Sequence, residues 1–419
     1  MFVYMIQFES FTLENGLKVY VHEDHDTPMA VMNILYNVGS RDEDESKTGF
    51  AHLFEHLMFG GSVNIPSYDE PLQQVGGENN AFTSPDITNY YLTLPAQSIE
   101  TGFWLESDRM LSLSFDEKVL EVQRKVVIEE FKQRYLNQPY GDVWLKLNPL
   151  AYDSHPYKWN TIGIEISHIE NATMQDVKDF FYKFYRPNNA VMVVAGNVTL
   201  EQVKNLSEKW FGPIPKGEDY LRKLPAEAKQ KVQKRLEIKA NVPLDALYMT
   251  FHMCDRMHDD YHSSDLLSDI IGRGTSSRLY NKLLKEQQLF NSIGSYVTGA
   301  ADPGLFIING RLNEGVKLED AEKAIWEVIE EFKIQGVLKD EVTKVKNQAE
   351  SSMAYSEVEL LNRAMNLAFG ANLGDPDHIN KEYGQVSAVT ADDINRIAME
   401  ILIPENSSIL YYIAEPVAD

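Results

Sequence analysis

His52, Glu55 and His56 stand together in the segment GFAHLFEHLMFGG, and their types and spacing suit metal chemistry. At about 100° per residue, His52 and His56 fall one turn apart on the same helical face, which suits two imidazoles on one tetrahedral zinc; Glu55 is displaced only enough to reach a water held there. Ten histidines in 419 residues would give an i, i+4 pair about 0.24 times by chance, and requiring a carboxylate at the fourth position lowers this to about 0.04. A second pair, His258 and His262 in RMHDDYHSS, has no third ligand nearby and reads as a solvated helix start with Asp259 and Asp260.

Two ligands do not hold a catalytic zinc. The stretch FDEKVLEVQRKVVIEEFKQR offers Glu121, Glu129 and Glu130 as a third. On a helical wheel, the direction of Val119, Leu120, Val122, Val126, Val127, Ile128 and Phe131 lies roughly 40° from Glu130 and roughly 140° from Glu129. Glu130 is therefore expected to point inward, either to a metal or to a buried ion pair with Arg109, Arg124 or Lys125, because an isolated buried charge costs several kcal/mol. The single cysteine, Cys254, excludes an intrachain disulfide and a Cys-based zinc cluster, so a metal must be held by histidines and carboxylates.

The elements that position these residues are read from hydropathy patterning. The first forty residues alternate around an Asn15-Gly16 turn in the manner of hairpins. Helical stretches are expected at Thr48 to Phe59, Pro66 to Val75, Pro95 to Leu111 and Asp116 to Tyr135, with a strand pair over Ala81 to Leu94. The chain also repeats itself. Thr173-x-x-Asp176-Val177 leads to Pro187-Asn188, and Thr390-x-x-Asp393-Ile394 leads to Pro404-Glu405, an offset of 217 residues with identical internal spacing. Each copy is a capped amphipathic helix followed by a strand, NAVMVVAGNV or SSILYYIAEP, and is preceded by an acidic-capped helix, from Asp116 or from Lys339. The expected fold class is α+β: two homologous α/β-roll domains, each an antiparallel-rich sheet packed with helices, related by internal duplication. Their expected extents are 1–212 and 235–419, joined by a charged, strand-poor linker at 213–234.

Composition narrows the function classes. The chain is 43% hydrophobic and 24% charged, an ordinary globular balance, and its net charge of −24 repels phosphate backbones, so no nucleic-acid partner is expected. No apolar run approaches the ~18 residues of a membrane helix, so no membrane partner is expected. The start MFVYMIQFES lacks the basic n-region of a secretory signal, which makes the expected location cytoplasmic unless a leader has been removed.

H-x-x-E-H is the inverted zincin order, and its setting resembles the pitrilysin/insulinase family of zinc peptidases, which includes the mitochondrial processing peptidases. The resemblance rests on NGLKVYVHEDHDTPMAV, VGSRDE, TGFAHLFEHLMFGG, GGENNAFTSPDITNYY, QRKVVIEEFKQR, NQPYG and FYRPNNAVMVVAGNV, and more loosely on GTSSRLYNKLL. It implies two homologous domains, one zinc ion per chain bound by His52, His56 and Glu130, and Glu55 as general base; the 74 residues from His56 to Glu130 are close to the family's spacing. It also implies that Asn80, Ala81, Phe82 and Thr83 lie on an edge strand that receives the substrate, and that peptides or small unfolded polypeptides are hydrolysed in a chamber made by two chains or one doubled chain. One departure stands out. Where active members carry an Arg and, seven residues on, a Tyr in the second domain, this chain has Leu284 and Asn291. The implied activity is that of a zinc metalloendopeptidase subunit working as a homodimer, or as a heterodimer with a related chain that carries the Arg and Tyr. The competing implication is a non-catalytic structural or assembly subunit, as some relatives are.

Overall fold

The computed structural model describes residues 5–415; the outermost ends of the expected domains, 1–4 and 416–419, and with them the first residues of the N-terminal stretch read for a leader, lie outside the described residues. Eleven strands form two sheets among the described residues. The first comprises β1 (Glu9–Thr12), β2 (Lys18–Glu23), β3 (Met29–Tyr36), β4 (Glu78–Thr83), β5 (Thr88–Pro95) and β6 (Ala190–Gly196), in the order β1-β2-β6-β3-β5-β4. The second comprises β7 (Lys234–Ala240), β8 (Ala246–His252), β9 (Phe290–Val297), β10 (Leu305–Leu312) and β11 (Ser407–Ala414), in the order β7-β11-β8-β10-β9.

The duplication is visible in this topology. Apart from the additional edge strand β1, the two orders correspond strand for strand, and in each sheet one pair alone is parallel: β2 with β6, and β7 with β11. Both repeated helices, Met174–Phe184 and Ala391–Ile401, begin with a reciprocal capping box, Thr173 with Asp176 and Thr390 with Asp393. That device satisfies two otherwise orphaned N–H groups at each helix start. Each helix is followed by a short 3-10 turn, Pro187–Asn189 or Pro404–Asn406, that feeds β6 or β11.

Chain order and compactness part company at two places. One compact unit contains the chain up to Arg134, then Trp159–Pro225 and Met353–Glu382; the other contains Tyr135–Lys158, Ala226–Ser352 and the chain from Tyr383 onward. The junction at Pro225 falls inside the stretch read as a linker, whereas the two exchanged segments depart from the contiguous extents 1–212 and 235–419. Helix Leu360–Asn372 lays Ala364, Leu367, Ala368 and Ala371 against Val31, Leu35, Val191, Val193 and Ala195 of the first sheet. Helix Val143–Ala151 sets Val143 and Leu147 against Ala246, Leu410 and Tyr412 of the second. The first residues of these helices, Val143 and Leu360, are themselves 217 residues apart. The physical reason is that an i, i+3, i+4, i+7 apolar stripe specifies burial on a sheet face but not on which of two similar sheets.

In the first unit the central strands β3 and β6 are buried on both faces, as their near-continuous apolar sequences MAVMNILY and AVMVVAG require. The other end of that sheet is open. β4 pairs with β5 on one side only, and its residues alternate between exposed and half-buried. No helix among the described residues is long and apolar enough to cross a membrane.

Candidate metal centre

The histidine helix runs Phe50–Leu57 and buries Phe50, Ala51, Leu53, Phe54 and Leu57. This apolar set turns His52, Glu55 and His56 to the helix side left half-open. Its start is fixed from outside the helix. Gly49 adopts a left-handed conformation at φ 89°, which favours glycine, and the buried carboxylate of Glu43 accepts the backbone N–H groups of Gly49 at 2.9 Å and Ala51 at 2.7 Å. Glu43 belongs to the VGSRDE segment. Its neighbours extend the same frame: Arg41 pairs with buried Asp86 at 2.9 Å in the turn between β4 and β5, and Asp42 accepts Arg222 Nε at 2.7 Å. Burial pushes the Glu43 carboxyl well up from its ordinary pKa, while the N–H groups of Ala51 and Gly49 hold it down.

Helix Glu117–Phe131 begins at Asp116, whose side chain accepts Lys118 N–H at 2.7 Å, and buries Leu120, Val127, Ile128 and Phe131. Of the residues used to set the wheel direction, Val122 and Val126 are exposed, because the buried stripe is narrower than the apolar content suggests. Glu130 still lies beside Val127 at i−3. Its side chain is 17% exposed, against 59% for Glu129, which pairs with Lys132.

The two helices bring three donor atoms together. His52 Nε2 and His56 Nε2 lie 3.3 Å apart, and Glu130 Oε2 lies 3.6 Å from the first and 3.5 Å from the second. Bonds of about 2.0–2.1 Å in a tetrahedral site put ligand atoms about 3.3–3.4 Å apart, so this triangle has the dimensions of one face of a zinc tetrahedron. The fourth vertex is free of these three side chains. Burial pushes His52 down to about 3, helped by His56 and Arg134, which keeps its imidazole neutral and able to donate a lone pair at ordinary pH. Among the described residues, this is the one group of three His, Cys, Asp or Glu side chains close enough to share an ion.

The expected ion-pair partners of Glu130 are engaged elsewhere. Arg109 is bound to Glu106, and Arg124 and Lys125 are bound to Glu121. Instead Arg134, four residues on, holds Glu130 Oε1 at 2.7 Å and leaves Oε2 to the histidines. The second histidine pair does not converge: His258 is exposed, whereas His262, expected in solvent, is buried inside helix Tyr261–Gly272 with Gln385 at 3.3 Å.

Asn80, Ala81, Phe82 and Thr83 form the end of edge strand β4. Ala81 N–H donates to the Asn80 side chain at 2.8 Å, Phe82 is 40% exposed, and Thr83 donates its hydroxyl to Glu55 Oε2 at 2.6 Å. Burial raises the pKa of Glu55, and the Thr83 hydroxyl opposes that rise. Leu284 is half-buried in a π-helical turn, Tyr280–Glu286, and Asn291 is exposed on β9, the edge strand of the second sheet. The contacts of Glu43, Thr83 and Arg134 had no expectation attached to them. Only the acidic residue shortly before the histidine helix gave a signal that could have been read.

A family model described as Insulinase (Peptidase family M16) matches residues 18–155, and one described as Peptidase M16 inactive domain matches residues 171–349. The chain belongs to the insulinase family. It is 32% identical over 349 residues to the zinc protease PqqE of Helicobacter pylori, covering 82% of this chain and 78% of that protein. It is 27% identical over 409 residues to the mitochondrial-processing peptidase subunit beta of Saccharomyces cerevisiae, covering 91% and 86%. The crystal structure of a protease from Helicobacter pylori superposes with a TM-score of 0.91 at 28% identity, covering 97% of this chain and all of that one. Pitrilysin, at 20% identity and a TM-score of 0.77 over 99% of this chain and 45% of its own, shares the fold. Within the insulinase family, the first model spans the histidine helix and Glu130, and the second, named for an inactive domain, spans Leu284 and Asn291.

Proposed function

We propose that this chain is a zinc-dependent endopeptidase subunit acting on extended peptides or small unfolded polypeptides, with one zinc held by His52, His56 and Glu130. The observation that carries this reading is the triangle of two imidazole nitrogens and one carboxylate oxygen with edges of 3.3 to 3.6 Å. Two imidazoles and one carboxylate also match the donor set of catalytic zinc sites of the His2Glu type. Zinc bound there supplies a Lewis acid that polarises the scissile carbonyl and acidifies a water.

The chain's own residues account for the rest. The open side of β4 is paired with no other strand among the described residues, so a peptide can lie there as an added strand; binding then draws on main-chain hydrogen bonds and leaves side-chain preference broad. Glu55, one residue before His56 and bonded to Thr83 on that strand, takes a proton from the attacking water and returns it to the leaving amine. Leu284 and Asn291 offer no strong donor to the developing oxyanion, so we assign that role to a partner: a second copy, or a related chain that carries Arg and Tyr. The assembly-subunit reading has less support, since the ligand triangle and the adjacent Glu55 are intact.

The test is metal content together with hydrolysis of an unstructured peptide. One zinc per chain is expected, and Glu55→Gln is expected to keep that zinc and abolish hydrolysis, because it preserves size and leaves the ligands untouched. Unchanged hydrolysis in Glu55→Gln would remove Glu55 from the mechanism.

A further inference from the structure

Thr83 is the last residue of β4, and its hydroxyl donates to Glu55 Oε2 at 2.6 Å. Among the described residues this is the hydrogen bond that engages the Glu55 carboxylate. The bond matters because of what the side chain lacks by itself. The terminal torsion of a glutamate is broad and roughly two-fold, so nothing intrinsic decides which oxygen faces a reacting atom. An outside donor has to decide it.

The alternation of β4 brings that donor to the right face. Glu78, Asn80 and Phe82 are exposed, whereas Asn79, Ala81 and Thr83 are half-buried, and Thr83 of the latter set meets the histidine helix. Strand and helix are also locked to a common frame through the VGSRDE segment, where Arg41 binds Asp86 beyond the end of β4 while Glu43 binds the helix start. A shift of β4 therefore moves the donor relative to Glu55.

We infer that Thr83 is a positioning residue for the general base: its hydroxyl holds Glu55 Oε2, so that Oε1 is the oxygen that exchanges the proton. This rests on the peptidase reading above. Oε1 accepts a proton from the water whose oxygen bonds to the carbonyl carbon, and the same proton passes to the amine nitrogen as the carbon–nitrogen bond breaks, leaving the carboxylate as it began. Because Thr83 stands on the strand that receives the peptide, strand pairing and base orientation are parts of one device, and Thr83 serves the base rather than substrate affinity.

The experiment compares the unaltered chain with Thr83→Val, which keeps the shape and removes the hydroxyl, and Thr83→Ser, which restores it. Each is zinc-loaded and assayed with its complementing chain, with Glu55→Gln as the zero. Outer-sphere partners typically contribute 10–100-fold, so kcat is expected to fall about tenfold or more in Thr83→Val and to return to within a few-fold in Thr83→Ser, with zinc content unchanged and KM within about twofold. Undiminished kcat in Thr83→Val, a Ser variant as impaired as Val, or a loss carried by KM would each overturn the inference and leave the peptidase reading standing. An unaltered chain no more active than Glu55→Gln would overturn both.

Discussion

The carboxylate of Glu43 accepts the backbone N–H of Ala51 at 2.7 Å, one residue before His52, and holds Gly49 N–H with its other oxygen. A helix start carries unsatisfied N–H groups and a partial positive charge, so a buried carboxylate there both completes hydrogen bonds and complements the dipole. The consequence reaches His52, because the backbone that carries it is pinned immediately upstream. In Glu43→Gln the amide can accept only one of the two N–H groups and turns its own N–H toward the other. A loss of about 1–3 kcal/mol is expected from the unsatisfied donor, together with weaker zinc binding. Thermal melts and chelator competition measure the two effects, and a variant that is as stable and as metal-tight as the parent would remove Glu43 from the frame of the site.

The adjacent carboxylates Glu129 and Glu130 give a sharper contrast. Glu130 faces the two imidazoles, and Glu129 faces solvent beside Lys132. Glu130→Gln is expected to lose zinc affinity by about tenfold or more, and Glu129→Gln to lose none, because only the former removes a negatively charged donor from the triangle. Competition against a zinc chelator decides it, and the reverse ranking would reject the ligand assignment.

Local periodicity made part of this site legible. Histidines four apart share a face whenever the segment is helical, and Glu130 follows Val127 by three residues on the buried side of its helix. What stayed hidden is non-local. The Thr83 to Glu55 bond joins a strand to a helix 28 residues apart, and no pattern within either segment encodes it. The exchange of helices Val143–Ala151 and Leu360–Asn372 was hidden because both sheets offer similar apolar faces and the choice depends on the path of the chain. Val122 and Val126 misled in the opposite way, since apolar residues on an amphipathic helix do not all reach the core.

The exchanged helix Leu360–Asn372 carries a pH-dependent anchor. Arg363 donates to His22 Nε2 at 2.9 Å and to Asp24 at 2.7 Å, and His22 Nδ1 lies 2.7 Å from the Gln7 carbonyl, which is the pattern of a neutral imidazole. Burial lowers the pKa of His22, as does Arg363, while the Gln7 carbonyl and Asp24 act against that shift. Below about pH 6.5 the unfolded chain therefore binds more protons at this position than the folded one, and stability rises with pH through that window by up to about 1.4 kcal/mol per pH unit for one proton. His22→Gln keeps a donor and an acceptor but does not titrate. Urea midpoints of the two proteins, followed as the pH falls from neutrality to about 5, are expected to drop more for the parent; parallel declines would assign the acid sensitivity to other groups.

Leu284 and Asn291 set the last expectation. Leu284 has no donor, and Asn291 has only a neutral one on an exposed strand position, so neither can steady a tetrahedral oxyanion as a cation or a phenol would. Loss of a single oxyanion donor typically costs on the order of 10²-fold or more in turnover. The isolated chain is therefore expected to bind zinc and to hydrolyse peptides poorly. Mixing it with a related chain that has the Arg and Tyr and lacks the zinc motif is expected to restore turnover without adding a second zinc, since the donors come from the partner and the metal from this chain. Two controls separate this from simple stabilisation: Glu55→Gln in this chain silences the mixture, and replacing the partner's Arg and Tyr returns it to the rate of the isolated chain. Full turnover from the homogeneous, isolated protein would show that other residues of this chain already provide the missing donors; Arg134, the cation on the outer oxygen of Glu130, would then be the first to replace.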